Sequence, residues 1–388
     1  MEHTEKINEW IPKYIRKLVA SKEALVETLD IKAGFLNAHR PTGLYGTVGT
    51  DEDYSQRPDI KATRLKEELA AYTNLTPQQI CIGNGSTELI DLVIRTFCHV
   101  GQDHIIGFQP SNNRLKHFAK MQALEIDLLE LGHNFEMPIY EVRKSITEAT
   151  KLLFIENPNH ITGSCFANFD IVDLVTSFDG IVVIDESAID YAPNQSLVSI
   201  INECSNVIII QSFSRAWGLA GLPVGMAYAS PEIIRILNIL KPPFSVNTVA
   251  QKMATKALYV PDQKARIVTR TIEERAQVKT MLEKLPAVLE VFDSETNTLL
   301  IKVEDASIMT QHLRKEELIH VLNVSDLPGL DNCIRITIGK GLDNMRLVKA
   351  FKDMPIKTSG SRLFWKAVSG TLRQASSFLG IFKKILGV

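Results

Sequence analysis

Five short stretches of this chain carry residue types and spacings with chemical potential. Gly83-Asn84-Gly85-Ser86-Thr87-Glu88 lies between an apolar run and a helical pattern. Free backbone N–H groups at such a helix start hold a phosphate, and the glycines permit close approach. A strand-to-helix turn needs glycine and a capping hydroxyl in any protein, so this stretch alone leaves both readings open. Further on come Asn157-Pro158-Asn159-His160-Ile161-Thr162-Gly163, Ile184-Asp185-Glu186-Ser187, Ser212-Phe213-Ser214-Arg215-Ala216-Trp217-Gly218 and Arg335-Ile336-Thr337. Asp185 ends an apolar run, where a carboxylate either caps the strand or meets a ligand. Arg335 alternates with Ile334 and Ile336 and so points away from their side, toward a pocket or toward solvent at a sheet edge.

The elements that must position these residues alternate in type. Arg64–Tyr72 and Thr87–Cys98 have helical spacing, whereas Gln79–Gly83, Ile105–Gly107, Glu125–Leu129, Leu152–Ile155, Ile181–Ile184, Val207–Ile210 and Val224–Tyr228 read as strands. Strands separated by helical segments imply an α/β domain with a mostly parallel, doubly wound sheet. After about residue 250 the order changes. One long amphipathic helix over Val246 to Leu282 is expected, then strands at Val288–Phe292, Thr298–Val303 and Ile334–Thr337 with helices between, which reads as a smaller α+β domain. The expected divisions are 1–55, an N-terminal helix and arm; 56–250, the large domain; 251–355, the small domain; and 356–388, an extension.

In order, spacing and wording the five stretches resemble the fold-type I pyridoxal-phosphate aminotransferases, most closely the histidinol-phosphate aminotransferases, over roughly residues 56 to 352. The resemblance implies that fold and a homodimer. It also implies a cofactor phosphate on Gly85, Ser86 and Thr87 and on Ser214, with Ser212 close by. Asp185 would pair with the pyridinium nitrogen and make the ring an electron sink. Arg335 would take the carboxylate of a small amino or keto acid in a bidentate fork.

Other positions depart from the family pattern. The family's Schiff-base lysine is Arg215 here, and a guanidinium stays charged and is not a useful nucleophile. The phosphate-binding arginine is Pro223. The asparagine that bonds the ring hydroxyl is His160, the ring-stacking aromatic is Asn112, and a tyrosine of the ring hydroxyl is Ala188. The tyrosine that reaches the neighbouring subunit is Arg57. Fold-keeping residues such as Trp217-Gly218-Leu219-Ala220-Gly221 survive beside these changes. The pattern implies a protein that does not transaminate and serves in binding or as a scaffold, with pyridoxal or pyridoxamine phosphate held non-covalently if bound. The enzyme alternative is a pyridoxal- or pyridoxamine-phosphate-dependent aminotransferase or related enzyme for an amino acid or amino-phosphate substrate; as a transferase or lyase it would hold pyridoxamine phosphate non-covalently and use another base such as His160. Two bland readings stand beside these: His160 as a solvated loop histidine, and Arg215 as a filler paired with Asp185.

Composition narrows the partners. With 388 residues, 45% hydrophobic and 23% charged, the chain can bury large cores, and a net charge of -2 gives no global field for nucleic acid. That charge is uneven: residues 356–388 carry six bases and no acid, which leaves -8 on residues 1–355. Leu363, Phe364, Ala367, Val368, Leu372, Ala375, Phe378, Leu379, Phe382, Ile385 and Leu386 recur at helical spacing there. A basic amphipathic helix is expected, with residues 360–387 contacting a membrane surface, a partner or the acidic body of the same chain. Five scattered cysteines and a polar start point to a reduced cytoplasmic setting, membrane-peripheral if the tail binds lipid. No CxxC pair or histidine cluster suggests a metal.

Overall fold

A computed structural model describes residues 7, 9–20 and 57–354 of the chain. The expected N-terminal arm, but for residues 7 and 9–20, and the whole C-terminal extension lie outside the described residues.

Seven strands form the large sheet: β1 (Ile80–Gly83), β2 (His104–Gln109), β3 (Glu125–Glu130), β4 (Thr150–Glu156), β5 (Ile181–Asp185), β6 (Val207–Ser212) and β7 (Gly225–Tyr228). Their order across the sheet is β1-β7-β6-β5-β4-β2-β3. Strand β7 is antiparallel to both β1 and β6, and the other neighbours are parallel. Every strand but β7 therefore runs the same way, and β1, β2, β4, β5 and β6 deliver their C-terminal ends to one edge. That edge is where ligands bind in open α/β sheets.

The apolar runs are continuous because both faces are covered. Val182 and Ile184 pack on one side, with Leu65 and Leu69 of α1 (Thr63–Thr73) and Leu174 of a later helix, Asn168–Ser177. Ile181 and Val183 pack on the other, with Leu89, Val93 and Phe97 of α2 (Gly85–Phe97) and Ile233 and Leu237 of Pro231–Leu240. Burying each such aliphatic side chain stabilises the fold by roughly 1.5–3 kcal/mol relative to exposure.

The smaller sheet is antiparallel, in the order β10-β11-β9-β8, from β8 (Val288–Val291), β9 (Thr298–Val303), β10 (Leu322–Asn323) and β11 (Cys333–Thr337). Ile334 and Ile336 face a core made with Val278, Leu282, Leu347 and Phe351. On the opposite face Leu300 and Cys333 cluster with Ile161, which belongs to the loop after β4. The second face of the small sheet is thus laid against the site edge of the large one.

Two expectations need correction. The single helix over Val246 to Leu282 is two, Thr248–Leu258 and Pro261–Leu282. Pro261 supplies no N–H, so it ends one helix and starts the next at a first-turn position. Arg335 is not on a sheet edge, since β11 lies between β10 and β9.

Candidate functional site

The loops after β1, β2, β4, β5 and β6 converge, bringing Ser86, Thr87, Asn112, His160, Asp185, Ser212, Ser214 and Arg215 to the same edge of the sheet. At the first, Gly85 starts α2 with φ of 77°, a left-handed conformation that favours glycine. The backbone N–H of Asn84 donates to Glu88 Oε2 at 2.5 Å, which fastens the turn.

Asp185 ends β5 and is fully buried. Its Oδ1 accepts from the Ser187 N–H at 3.0 Å and from the Ser187 hydroxyl. Its Oδ2 accepts from Arg114 Nη2 at 2.9 Å and from His160 Nε2 at 3.1 Å. A carboxylate has about four acceptor positions, and all are taken. Burial pushes this carboxyl up, but His160, Arg114 and the donated hydrogen bonds outweigh burial and hold it well below the usual range.

His160 is buried at 2% exposure, which overturns its reading as a solvated loop residue. Arg215 Nη2 lies 3.1 Å from its Nδ1, and Arg335 Nη1 donates to its carbonyl oxygen at 2.6 Å. The expected direct pairing of Arg215 with Asp185 is absent among these contacts: His160 stands between them, and Arg114 is the arginine on the carboxylate. Burial lowers the Arg215 pKa, and burial followed by the charge of Arg215 lowers that of Arg335. The buried Arg335 Nε has no hydrogen-bond partner.

Arg114 and Glu156 were not among the residues singled out. Arg114 stands at the start of Arg114–Met121, after β2, with its side chain 26% exposed. Its Nη1 donates to Ser86 Oγ at 3.1 Å and to Thr87 Oγ1 at 3.4 Å, and its Nε to Asn112 Oδ1 at 2.8 Å. Asn112 Nδ2 in turn donates to Glu156 Oε1 at 2.8 Å, so Asn112 works here as a polar bridge. Glu156 is buried at the end of β4, and burial pushes its carboxyl up. A charged residue closing the apolar run Leu152–Ile155 was a signal for it. Nothing in the sequence around Arg114 marks it. Ser212 Oγ accepts from the Ser214 N–H at 3.1 Å and lies 3.5 Å from the Val224 carbonyl oxygen.

The family described as aminotransferase class I and II matches residues 28–351, and the chain belongs to it. Within it, the chain is 35% identical over 304 residues to a histidinol-phosphate aminotransferase of Christiangramia forsetii, covering 78% of this chain and 87% of that one. It is 36% identical over 295 residues to one of Flavobacterium psychrophilum, covering 76% and 85%. Among solved structures, a histidinol-phosphate aminotransferase from Clostridium acetobutylicum shares the fold with a TM-score of 0.71 at 22% identity, covering 76% of this chain and 89% of that one. One from Sinorhizobium meliloti in complex with pyridoxal-5'-phosphate has a TM-score of 0.71 at 19% identity, covering 77% and 82%. The fold-type I architecture is therefore shared, and members of the family use pyridoxal phosphate.

The residues present fit that cofactor only in part. The helix start at Ser86 and Thr87 suits a phosphate, although Pro223 packs beside Gly85 and carries no charge. The ring half does not fit: Asp185 has no acceptor position left for a ring N–H, and the Arg114 guanidinium lies between the Ser86 hydroxyl and Asp185.

Proposed function

We propose that this chain is a histidinol-phosphate-aminotransferase-like protein that does not transaminate: a cytoplasmic, homodimeric binding protein for a small amino or keto acid. The observation that carries this reading is the engagement of Arg215. The residue at the position of the family's Schiff-base lysine is a guanidinium, which forms no imine at neutral pH and is spent as a hydrogen-bond donor to His160. Arg335 is the group for the ligand carboxylate, since its Nε is buried and unpartnered and its place opposite Ile334 and Ile336 faces the site.

The alternative that holds pyridoxamine phosphate non-covalently would use a base such as His160. Both of its ring nitrogens already have partners, so nothing in the site favours His160 as a base. The test is to mix purified protein with pyridoxal phosphate and an amino donor, then reduce with borohydride. No adduct at a residue of the site and no keto acid product are expected. A trapped adduct at a residue of the site, with turnover, would sink the proposal.

A further inference from the structure

The Arg114 guanidinium touches the residues at both ends of the space that a phosphorylated pyridine would span. At one end are the Ser86 and Thr87 hydroxyls, at the other Asp185. A guanidinium is planar, permanently charged and lined with five donors, so it can pair with a carboxylate as a pyridinium N–H does. Serine and threonine hydroxyls donate to an anion or accept from a cation equally well, and here they accept. The orientation of the group is set rather than incidental. Asn112 Oδ1 accepts from both Arg114 Nε and the Arg114 N–H, at 2.8 and 3.2 Å, while Glu156 Oε1 holds the Asn112 amide at 2.8 Å.

We infer that Arg114 is the site's own occupant, a side chain that fills the space and satisfies the partners of a cofactor ring, so that the folded chain excludes the ring until Arg114 withdraws. This goes beyond the loss of imine chemistry. Arg215 removes the covalent bond, whereas Arg114 removes the room. With its side chain 26% exposed at the start of a short helix, Arg114 enters from the solvent side and can leave by rotation of its own stem, without unfolding β5. Affinity for a ligand that needs the open form falls by the fraction open, so an open population of about 1% weakens binding by about a hundredfold.

The test uses the full chain and pyridoxine 5′-phosphate, which keeps the ring nitrogen and the phosphate but has no aldehyde, so the readout is indifferent to whether any imine can form. Binding is measured by equilibrium dialysis for the wild type, Arg114→Ala and Arg114→Lys. Arg114→Ala is expected to bind on the order of a hundredfold more tightly than the wild type. Methylguanidinium is expected to compete with the probe in Arg114→Ala and to have no effect on the wild type, because it re-enters the vacated space. Should Arg114→Ala fail to fold, Arg114→Lys is read instead. A single ammonium reaches Asp185 or Ser86 but not both, and roughly tenfold tightening is expected. Equal affinity in wild type and variants, binding by none, or no competition by methylguanidinium overturns the inference.

Discussion

Arg215 Nη2 and His160 Nδ1 are 3.1 Å apart, and this contact fixes the tautomer of the histidine. A guanidinium has donors only, so Nδ1 must accept and carries no proton. The ring proton is then on Nε2 and is donated to Asp185 Oδ2 at 3.1 Å. Donation runs in one direction, from Arg215 through the imidazole to the carboxylate, and every group in the relay is committed.

Restoring a lysine should therefore not restore imine chemistry. Arg215→Lys is expected to retain no absorbance band from pyridoxal phosphate once unbound cofactor is removed, because Arg114 still holds Asp185. Arg114→Ala combined with Arg215→Lys is expected to retain one. Absorbance spectra of the two purified variants check this, and a band in the single variant would contradict it.

Asp185 should matter more to stability than its neighbours on the surface. Removing one partner of a buried ion pair costs about 3–5 kcal/mol because the other charge is left without compensation. The carboxylate here is fully buried and serves Arg114, His160 and Ser187. Asp185→Asn is expected to lose about 3 kcal/mol in urea unfolding, less than the upper figure because Arg114 is partly solvated. Loss of under about 1 kcal/mol would show the network to be slack.

Glu186 gives the fold a pH dependence. It is buried at 1% exposure and its pKa is raised to about 7, chiefly by burial, while Ser196, Gln211 and the Leu197 N–H donate to it. Its folded pKa exceeds the ordinary unfolded value of 4.5, so the folded state binds more protons between those values. The stabilisation is fully present below about pH 4.5 and is lost as pH rises through about 7, a change of about 3 kcal/mol. The melting temperature should fall across that window, and Glu186→Gln should flatten its slope. Asp185 acts oppositely: its lowered pKa contributes stability that is lost as pH falls below the ordinary carboxylate range.

Gly225 is expected to tolerate no side chain. A Cβ there would lie 2.4 Å from the Gly85 carbonyl carbon and 2.6 Å from the Ser86 nitrogen, both backbone atoms. Gly225→Ala should cost about 2–3 kcal/mol and push the Ser86 turn away from Arg114. In Arg114→Ala, where the probe binds, the added Gly225→Ala change should weaken phosphate-bearing pyridines most. Thermal melts and dialysis measure the two effects.

The sequence made the sheet legible because its signal is local. Runs such as Ile181–Ile184 are apolar throughout, as strands covered on both faces require. The break at Pro261 is missed by that signal, because apolar residues on both sides of it read as one amphipathic pattern although the proline ends one helix and starts the next. Strand β10 is two exposed residues, Leu322 and Asn323, paired with Arg335 and Ile334 of β11, and carries no periodicity of its own. The motif residues stood out because each lies in a short contiguous stretch that resembles a family motif, and the structure gathers those stretches at one sheet edge. Arg114 did not, because its partners Ser86 and Asp185 are 28 and 71 positions away and meet it only after the sheet has formed.

A guanidinium that bridges Ser86 and Asp185 also alters how the protein depends on its surroundings. An enzyme whose site is completed by a vitamin-derived group gains folded-state stability from that group in proportion to the logarithm of its concentration. Here a side chain encoded at position 114 fills that place and is present at fixed stoichiometry in every copy. The melting temperature and steady-state abundance of the chain should then be indifferent to vitamin B6 supply, through starvation and surplus alike.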